Sequence, residues 1–199
     1  MTTPETYPQS SPCTKRRRAA GLHLTGQKRP GSRVISLELV TPANGMIFKE
    51  IRLRALQDTP SAFSANYAEE SQLTDADWTQ RAVQWNGRIS RTYIAMDADT
   101  PCGIAGGYLE KEDSSRAHLV SMWVAPSHRR LGIGCQLIDA IVAWACAQGA
   151  RTLQLTVTSN NDRAIEVYRR LGFTLTRNTG PYRNDPALSN LEMIRLLVA

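Results

Sequence analysis

The run from Leu119 to Leu137 constrains the fold of this chain more than any other stretch. Leu119 to Val124 is largely apolar and is stopped by Pro126, after which Ile133, Leu137, Ile141 and Ala145 recur at helical spacing. A strand therefore hands over to a helix. The turn between them, Arg129-Arg130-Leu131-Gly132-Ile133-Gly134, has two glycines that let backbone come close to a ligand, and the first N–H groups of the helix have no partner inside it. Such a turn can bind an anion. Two familiar phosphate-binding patterns fit it poorly: Gly132-Ile133-Gly134-Cys135-Gln136-Leu137 lacks the third glycine of a dinucleotide fingerprint and the Gly-Lys-Ser/Thr ending of a nucleoside-triphosphate loop.

A chain of 199 residues suits one domain with a buried core. Its apolar runs fall short of the roughly 20 residues needed to span a bilayer, so a soluble globular class with no membrane partner is expected. The net charge of +6 resembles a nucleic-acid signal until it is divided along the chain. Met1 to Arg33 holds seven basic residues and one acidic, whereas the remainder holds 17 of each. Nucleic-acid binding is thus an accessory role at most. Residues 1–32 are rich in Pro, Ser and Thr, contain Lys15-Arg16-Arg17-Arg18 and lack apolar periodicity, so a disordered basic tail is expected before a folded domain over residues 33–199. The tail has no apolar core of a secretion signal, but its Arg-rich, acid-poor composition leaves a transit peptide open. Cys13, Cys102, Cys135 and Cys146 show neither metal-ligand spacing nor a dense disulfide framework. They read as packing or surface thiols in a reducing, cytoplasmic compartment, with no metal site.

In chain order, Ile35, Leu37 and Leu39 alternate with polar residues as a first strand, and Thr41-Pro42 opens a helix. Ile47, Ile51 and Ala55, widened by Leu53 and Leu56, form its apolar face until Pro60 ends it, although Asn44-Gly45 leaves its start open. Thr74 with Asp77 announces a second helix, on which Trp78, Ala82 and Trp85 share a face that reads as core. Strands over Thr92 to Met96, Ile104 to Glu110 and Leu119 to Val124 make an antiparallel meander. The helix after the glycine turn stops at Gly149, and Leu153, Leu155 and Val157 alternate as a strand parallel to the one at Leu119. A fourth helix runs from Asp162 to Leu171, capped by Asn161 and ended by Gly172. Phe173 to Thr176 and Leu191 to Val198 read as the last strands.

The loop pattern Arg129-x-x-Gly132-x-Gly134, together with Asn161-x-x-Ala164-x-x-x-Tyr168-x-x-x-Gly172-Phe173 after one intervening helix and strand, resembles the two signature stretches of the GNAT superfamily of N-acetyltransferases. Arg52 to Phe63 is similar to the opening of many of its members. The resemblance covers about Val34 to Val198. It implies an α+β fold, with a mixed, twisted, largely antiparallel sheet flanked by helices. It also implies acetyl-CoA as co-substrate and, most often, a primary amine as acceptor, either a small molecule or a protein. Direct attack in a ternary complex is the implied mechanism, since no cysteine has an evident activating His. A homodimer is left open.

On this resemblance, N–H groups around Arg129, Arg130, Leu131, Gly132, Ile133, Gly134 and Cys135 would bind the pyrophosphate, with charge added by Arg129 and Arg130. Main chain at Met122, Trp123 and Val124 would pair with the pantetheine arm, and an amide there would face the developing oxyanion. Asn161 and Ala164 belong to the second motif, in which Tyr168 would protonate the departing thiolate. Without the family context, Tyr168 on the apolar face it shares with Ala164 and Leu171 reads as a core residue. No base is fixed by spacing. Glu110, Glu112, His118, Glu69 and Glu70 are the candidates, with water as another carrier and a solvated surface role as the ordinary reading of each carboxylate. His128 reads as a loop decoration. Acceptor selection falls to Ala62 to Asp77 and Arg177 to Asn190. Two other readings are a catalytically weak CoA-binding sensor, disfavoured by Tyr168 and the intact loop, and a nucleic-acid-associated protein using the tail.

Overall fold

Alternation in the strands and four-residue spacing in the helices generate the observed elements. The computed structural model describes residues 34–182 and 185–197; the expected tail over residues 1–32 lies outside them, as does Val198. Its elements are β1 (Ile35–Leu39), α1 (Gly45–Asp58), α2 (Tyr67–Glu70), α3 (Asp75–Gln84), β2 (Ser90–Asp97), β3 (Thr100–Leu109), β4 (Arg116–Val124), α4 (Ile133–Ala147), β5 (Thr152–Thr158), α5 (Asp162–Arg170), β6 (Thr174–Pro181) and β7 (Ser189–Leu196). They form one sheet in the order β1-β2-β3-β4-β5-β7-β6. Only β4 and β5 run parallel; every other neighbouring pair is antiparallel. The mixed sheet flanked by helices is the fold class expected from the sequence. Among the described residues no helix is long and apolar enough to cross a membrane.

Period-two alternation splits the core between the two sheet faces. Ala95 and Ala105 join Leu137, Ile138, Ile141, Leu153, Phe173 and Met193 in one buried cluster. Their chain neighbours Ile94 and Ile104 join Phe48, Ile51, Leu56, Trp78 and Trp123 in the other. Helix α4 therefore covers one face, and α1 with α3 covers the opposite one. Gly107 allows α4 to sit directly on the backbone of β3: a Cβ there would lie 2.9 Å from both Ile141 Cγ2 and Trp144 Cζ3.

Several local expectations are refined. Thr41-Pro42 opens a short 3-10 turn rather than the helix itself, because the Asn44 carboxamide oxygen accepts the Thr41 N–H at 2.7 Å and α1 starts at Gly45. The Thr74–Asp77 capping box does form, with Thr74 N–H donating to the Asp77 carboxylate at 2.8 Å and Asp77 N–H donating to Thr74 Oγ1 at 3.2 Å. The one-turn helix α2 was not foreseen, since four residues are too few for a periodic signal. Gly149 and Gly172 stop α4 and α5 at φ values of 83° and 85°, as C-terminal glycines do. The last strand, whose place in the sheet the sequence leaves open, inserts between β5 and β6.

Filling the β3–α4 contact should cost stability. Gly107→Ala is expected to destabilise the fold by about 2 kcal/mol through overpacking, whereas Gly180→Ala, whose Cβ meets nothing within 4 Å, should change it by less than about 0.5 kcal/mol. Urea unfolding of both variants checks the contrast.

Candidate active site

Strands β4 and β5 pair at only three positions, Arg116 with Thr152, Ala117 with Leu153 and His118 with Gln154. Beyond these the strands part, and a cleft of about 420 Å³ opens between Leu119–Val124 and Leu155–Thr158. β4 continues to pair with β3, and β5 with β7, on their far sides. The facing edges therefore turn main-chain polar groups towards the cleft without a strand to receive them. Within β4 the register with β3 slips between Ile104 and Gly106, and Ser121 at this bulge has φ 55°, in the left-handed region.

The turn after β4 is built to present N–H groups. Arg130 and Gly132 take φ values of 68° and 81°, and the hydrogen-bond ladder of α4 begins only with Gln136 N–H donating to Gly132 O at 3.1 Å. Ahead of it, the N–H groups of Ile133 and Gly134 meet no acceptor among the described residues. Nothing lies within 4 Å of a Cβ placed on Gly132, so the approach is open, while one on Gly134 would lie 3.2 Å from Met122 Cε. Such a helix start favours an anion.

The Arg129 side chain has turned inward. Its Nε donates to Val124 O at 2.9 Å and its Nη2 to the Asp58 carboxylate, which also accepts the Trp123 indole N–H at 2.8 Å. Partial burial raises the Asp58 pKa, but the hydrogen bonds from Trp123, Thr59 and Arg129 outweigh it and hold the carboxyl below its usual value. This clamp ties the end of α1 to the strand and its turn. His128 is not the surface decoration expected from the sequence. It is buried, its Nδ1 is 2.8 Å from Ser127 Oγ, and its Nε2 is 3.1 Å from Asp97 at the end of β2.

Helix α5 brings the second motif to the cleft. Asn161 caps it, its side-chain oxygen accepting the Ala164 N–H at 3.2 Å. Tyr168 packs edge-on against Phe173 with ring centroids 5.7 Å apart, and its side chain lines the cleft. The hydroxyl has no hydrogen-bond partner among the described residues. Burial pushes the phenol up to about 12, so it remains protonated at neutral pH.

Of the residues singled out from the sequence, the structure gathers Met122, Trp123, Val124, Arg129, Arg130, Gly132, Ile133, Gly134, Cys135, Asn161, Ala164 and Tyr168 around this cleft. Trp123 reaches it through main chain, since its ring is buried on the α1 face. Leu131 falls outside the lining, with its side chain half exposed. Thr59, Ile138, Thr158 and Val167 also line the cleft and were missed. They become neighbours only through the parting of β4 from β5, which has no signature in one sequence. Thr158 Oγ1 is buried and without a partner among the described residues, a polar atom fitted for a ligand to satisfy.

The base candidates separate. His118 Nε2 is 2.8 Å from Glu110, its ring stacks on Tyr108 with centroids 4.7 Å apart, and that contact holds the Glu110 carboxyl below its ordinary range. Glu69 and Glu112 are exposed. Glu70, expected to be solvated, is instead buried, its two oxygens each 3.1 Å from an Arg52 nitrogen and one of them 3.3 Å from Arg81. Two guanidiniums make that burial tolerable.

The sequence of residues 53–173 matches the model of the acetyltransferase (GNAT) family. The chain belongs to that family. It is 39% identical over 87 residues to streptothricin acetyltransferase of Streptomyces lavendulae, a match covering 42% of this chain and 44% of that protein. The chain thus spans less than half the length of this relative. Among solved structures it superposes on the GNAT-family acetyltransferase of Streptococcus pneumoniae with a TM-score of 0.72 at 19% identity, covering 83% of this chain and 100% of that one. A Salmonella typhimurium protein solved with its cofactor acetyl-CoA gives a TM-score of 0.69 at 17% identity, covering 83% and 95%. These likenesses show a shared GNAT fold.

The Asp58 clamp has an acid-sensitive signature. Because its folded pKa is depressed, its stabilisation is present above the ordinary carboxyl pKa of about 4 and is lost as pH falls through the folded value. Unfolding curves between pH 5 and 2 should therefore fall more steeply for the native chain than for Asp58→Asn, which should be less stable at pH 7; parallel curves would show that the clamp contributes nothing.

Proposed function

We propose that this protein transfers the acetyl group of acetyl-CoA directly to a primary amine, on a small molecule or a protein, in a ternary complex. The observation that carries the reading is that Tyr168 lines the same cleft as the open N-terminus of α4. The N–H groups from Arg129 to Cys135 would hold the pyrophosphate, and the unpaired edges of Met122–Val124 and Leu155–Thr158 would flank the pantetheine arm. The amine lone pair attacks the thioester carbonyl, and an N–H from the bulged part of β4 steadies the oxyanion that develops. Collapse breaks the C–S bond. Tyr168 gives its proton to the departing sulfur, and the proton lost by the amine leaves through a base or water. A CoA-binding sensor would not need a protonated phenol there. Cytoplasmic residence rests on cysteine usage in the sequence alone.

Thiol release from acetyl-CoA across an amine panel tests this reading. Tyr168→Phe should keep acetyl-CoA affinity and lower kcat by about a hundredfold; Gly132→Trp should abolish acetyl-CoA binding. The alkaline limb should not come from Tyr168 below about pH 10, since its pKa is raised to about 12 and the acid stays loaded. A Tyr168→Phe protein with full turnover would remove the proposed acid.

A further inference from the structure

A second, smaller cavity of about 270 Å³ lies on the opposite side of the bulge in β4, lined by Phe48, Arg52, Glu70, Arg81, Gln84, Trp85, Thr92 and Ser121. Ser121 lines both cavities, so at the bulge they are separated by a single residue. An acceptor seated here would meet the acyl group from the face of β4 opposite the donor cleft. Gly106 keeps the floor low: a Cβ there would come within 3.1 Å of Thr92 Oγ1 and 3.3 Å of Val120 Cγ2.

The charges in this cavity are uneven. Arg52 and Glu70 form a bidentate pair at 3.1 Å through both carboxylate oxygens, and the remaining Arg52 nitrogen donates to Ser121 Oγ at 3.1 Å. Each of its three nitrogens is thus engaged. Arg81 touches the same carboxylate through Nη1 alone at 3.3 Å, and its guanidinium sits 5.2 Å from the centroid of the Trp78 ring. Its other N–H groups meet no acceptor among the described residues. The lining therefore holds two guanidiniums against one carboxylate, with one guanidinium oriented by an aromatic face and still able to donate. Gln84 adds an amide beside it, and Trp85 an apolar wall.

Resting on the acetyl-transfer reading, we propose that this cavity is the acceptor site and that Arg81 selects an amine carrying a carboxylate, such as an amino acid, over a polyamine. A guanidinium with free N–H groups recognises a carboxylate in a planar, charge-assisted geometry. A second ammonium group would meet the Arg81 guanidinium at the same place, with the Glu70 carboxylate already taken up by Arg52. The volume suits a molecule of amino-acid size rather than a folded protein surface.

The test compares the proteinogenic amino acids and β-alanine with their carboxamides, and with spermidine, as acceptors for the full chain. For the best acceptor, kcat/KM should exceed that of its carboxamide by about tenfold or more, the worth of one charged hydrogen-bond pair. Arg81→Gln should raise KM for the carboxylate about tenfold more than for the carboxamide and so erase that preference; Arg81→Lys should restore part of it. Equal use of acid and amide, a preference for spermidine, or equal loss of both in Arg81→Gln would overturn the proposal. Calorimetric binding of the same pairs reads the selectivity independently of catalysis. If no acetyl group moves, yet carboxylates bind tighter than carboxamides and lose that advantage in Arg81→Gln, the acetyl-transfer reading fails and carboxylate recognition stands. Equal or absent binding of both overturns it.

Discussion

The early end of the β4–β5 ladder is the constraint on which the rest of the molecule depends. Parallel strands normally continue to exchange hydrogen bonds, and buried main chain left without partners costs free energy comparable to a lost hydrogen bond. Here pairing stops at His118 and Gln154, so the edges that follow are kept apart by other contacts. Arg129 and Trp123 converge on Asp58 from the two sides of the turn after β4. His128 fastens the same turn to Asp97 on β2. Both connections bring in distant chain, and together they hold the end of β4 to the α1 side of the sheet and away from β5.

The glycine turn and α4 are the second half of that device. Since α4 starts where β4 ends, the gap between the strands lies next to the helix N-terminus, and the groups that need partners along the strand edges adjoin those that need partners at the helix start. Gly107 lets Ile141 and Trp144 approach the sheet backbone, which seats α4 firmly enough for its first turn to be a fixed feature. α5 closes the cleft from the other side, with Asn161 capping its start and Phe173 bracing Tyr168.

What could be read from the sequence follows from range. The strand–turn–helix, the glycine stops, the Asn161 cap and the motif bearing Tyr168 are local patterns, and each appears where its spacing places it. The insertion of β7 between β5 and β6 was not legible, because either side of β6 satisfies the same alternation. The Asp58 clamp joins residues 65 and 71 positions apart, and nothing in Asp58-Thr59-Pro60 announces it. Arg129 was legible as a motif residue but not as a side chain tied to Asp58 and to the Val124 carbonyl. Glu70 shows the same limit: beside Glu69 in a polar stretch it reads as solvated, yet it faces Arg52, 18 residues earlier.

Placing Glu70 between two arginines also changes what the second cavity can be. A buried carboxylate with one guanidinium would be a neutral wall, indifferent to the charge of an incoming amine. With Arg52 committed to both Glu70 and Ser121, Arg81 meets Glu70 through one nitrogen and faces the exposed Asp77 carboxylate on its own helix, so it keeps N–H groups to offer, and its contact with Trp78 limits where it can move. Ser121 is then a junction for two kinds of order. Its left-handed φ marks the bulge of β4 at the cleft, while its hydroxyl accepts from the arginine that organises the second cavity. A change on either side of the strand would therefore be felt at the same residue, so the two cavities are coupled through one backbone bulge.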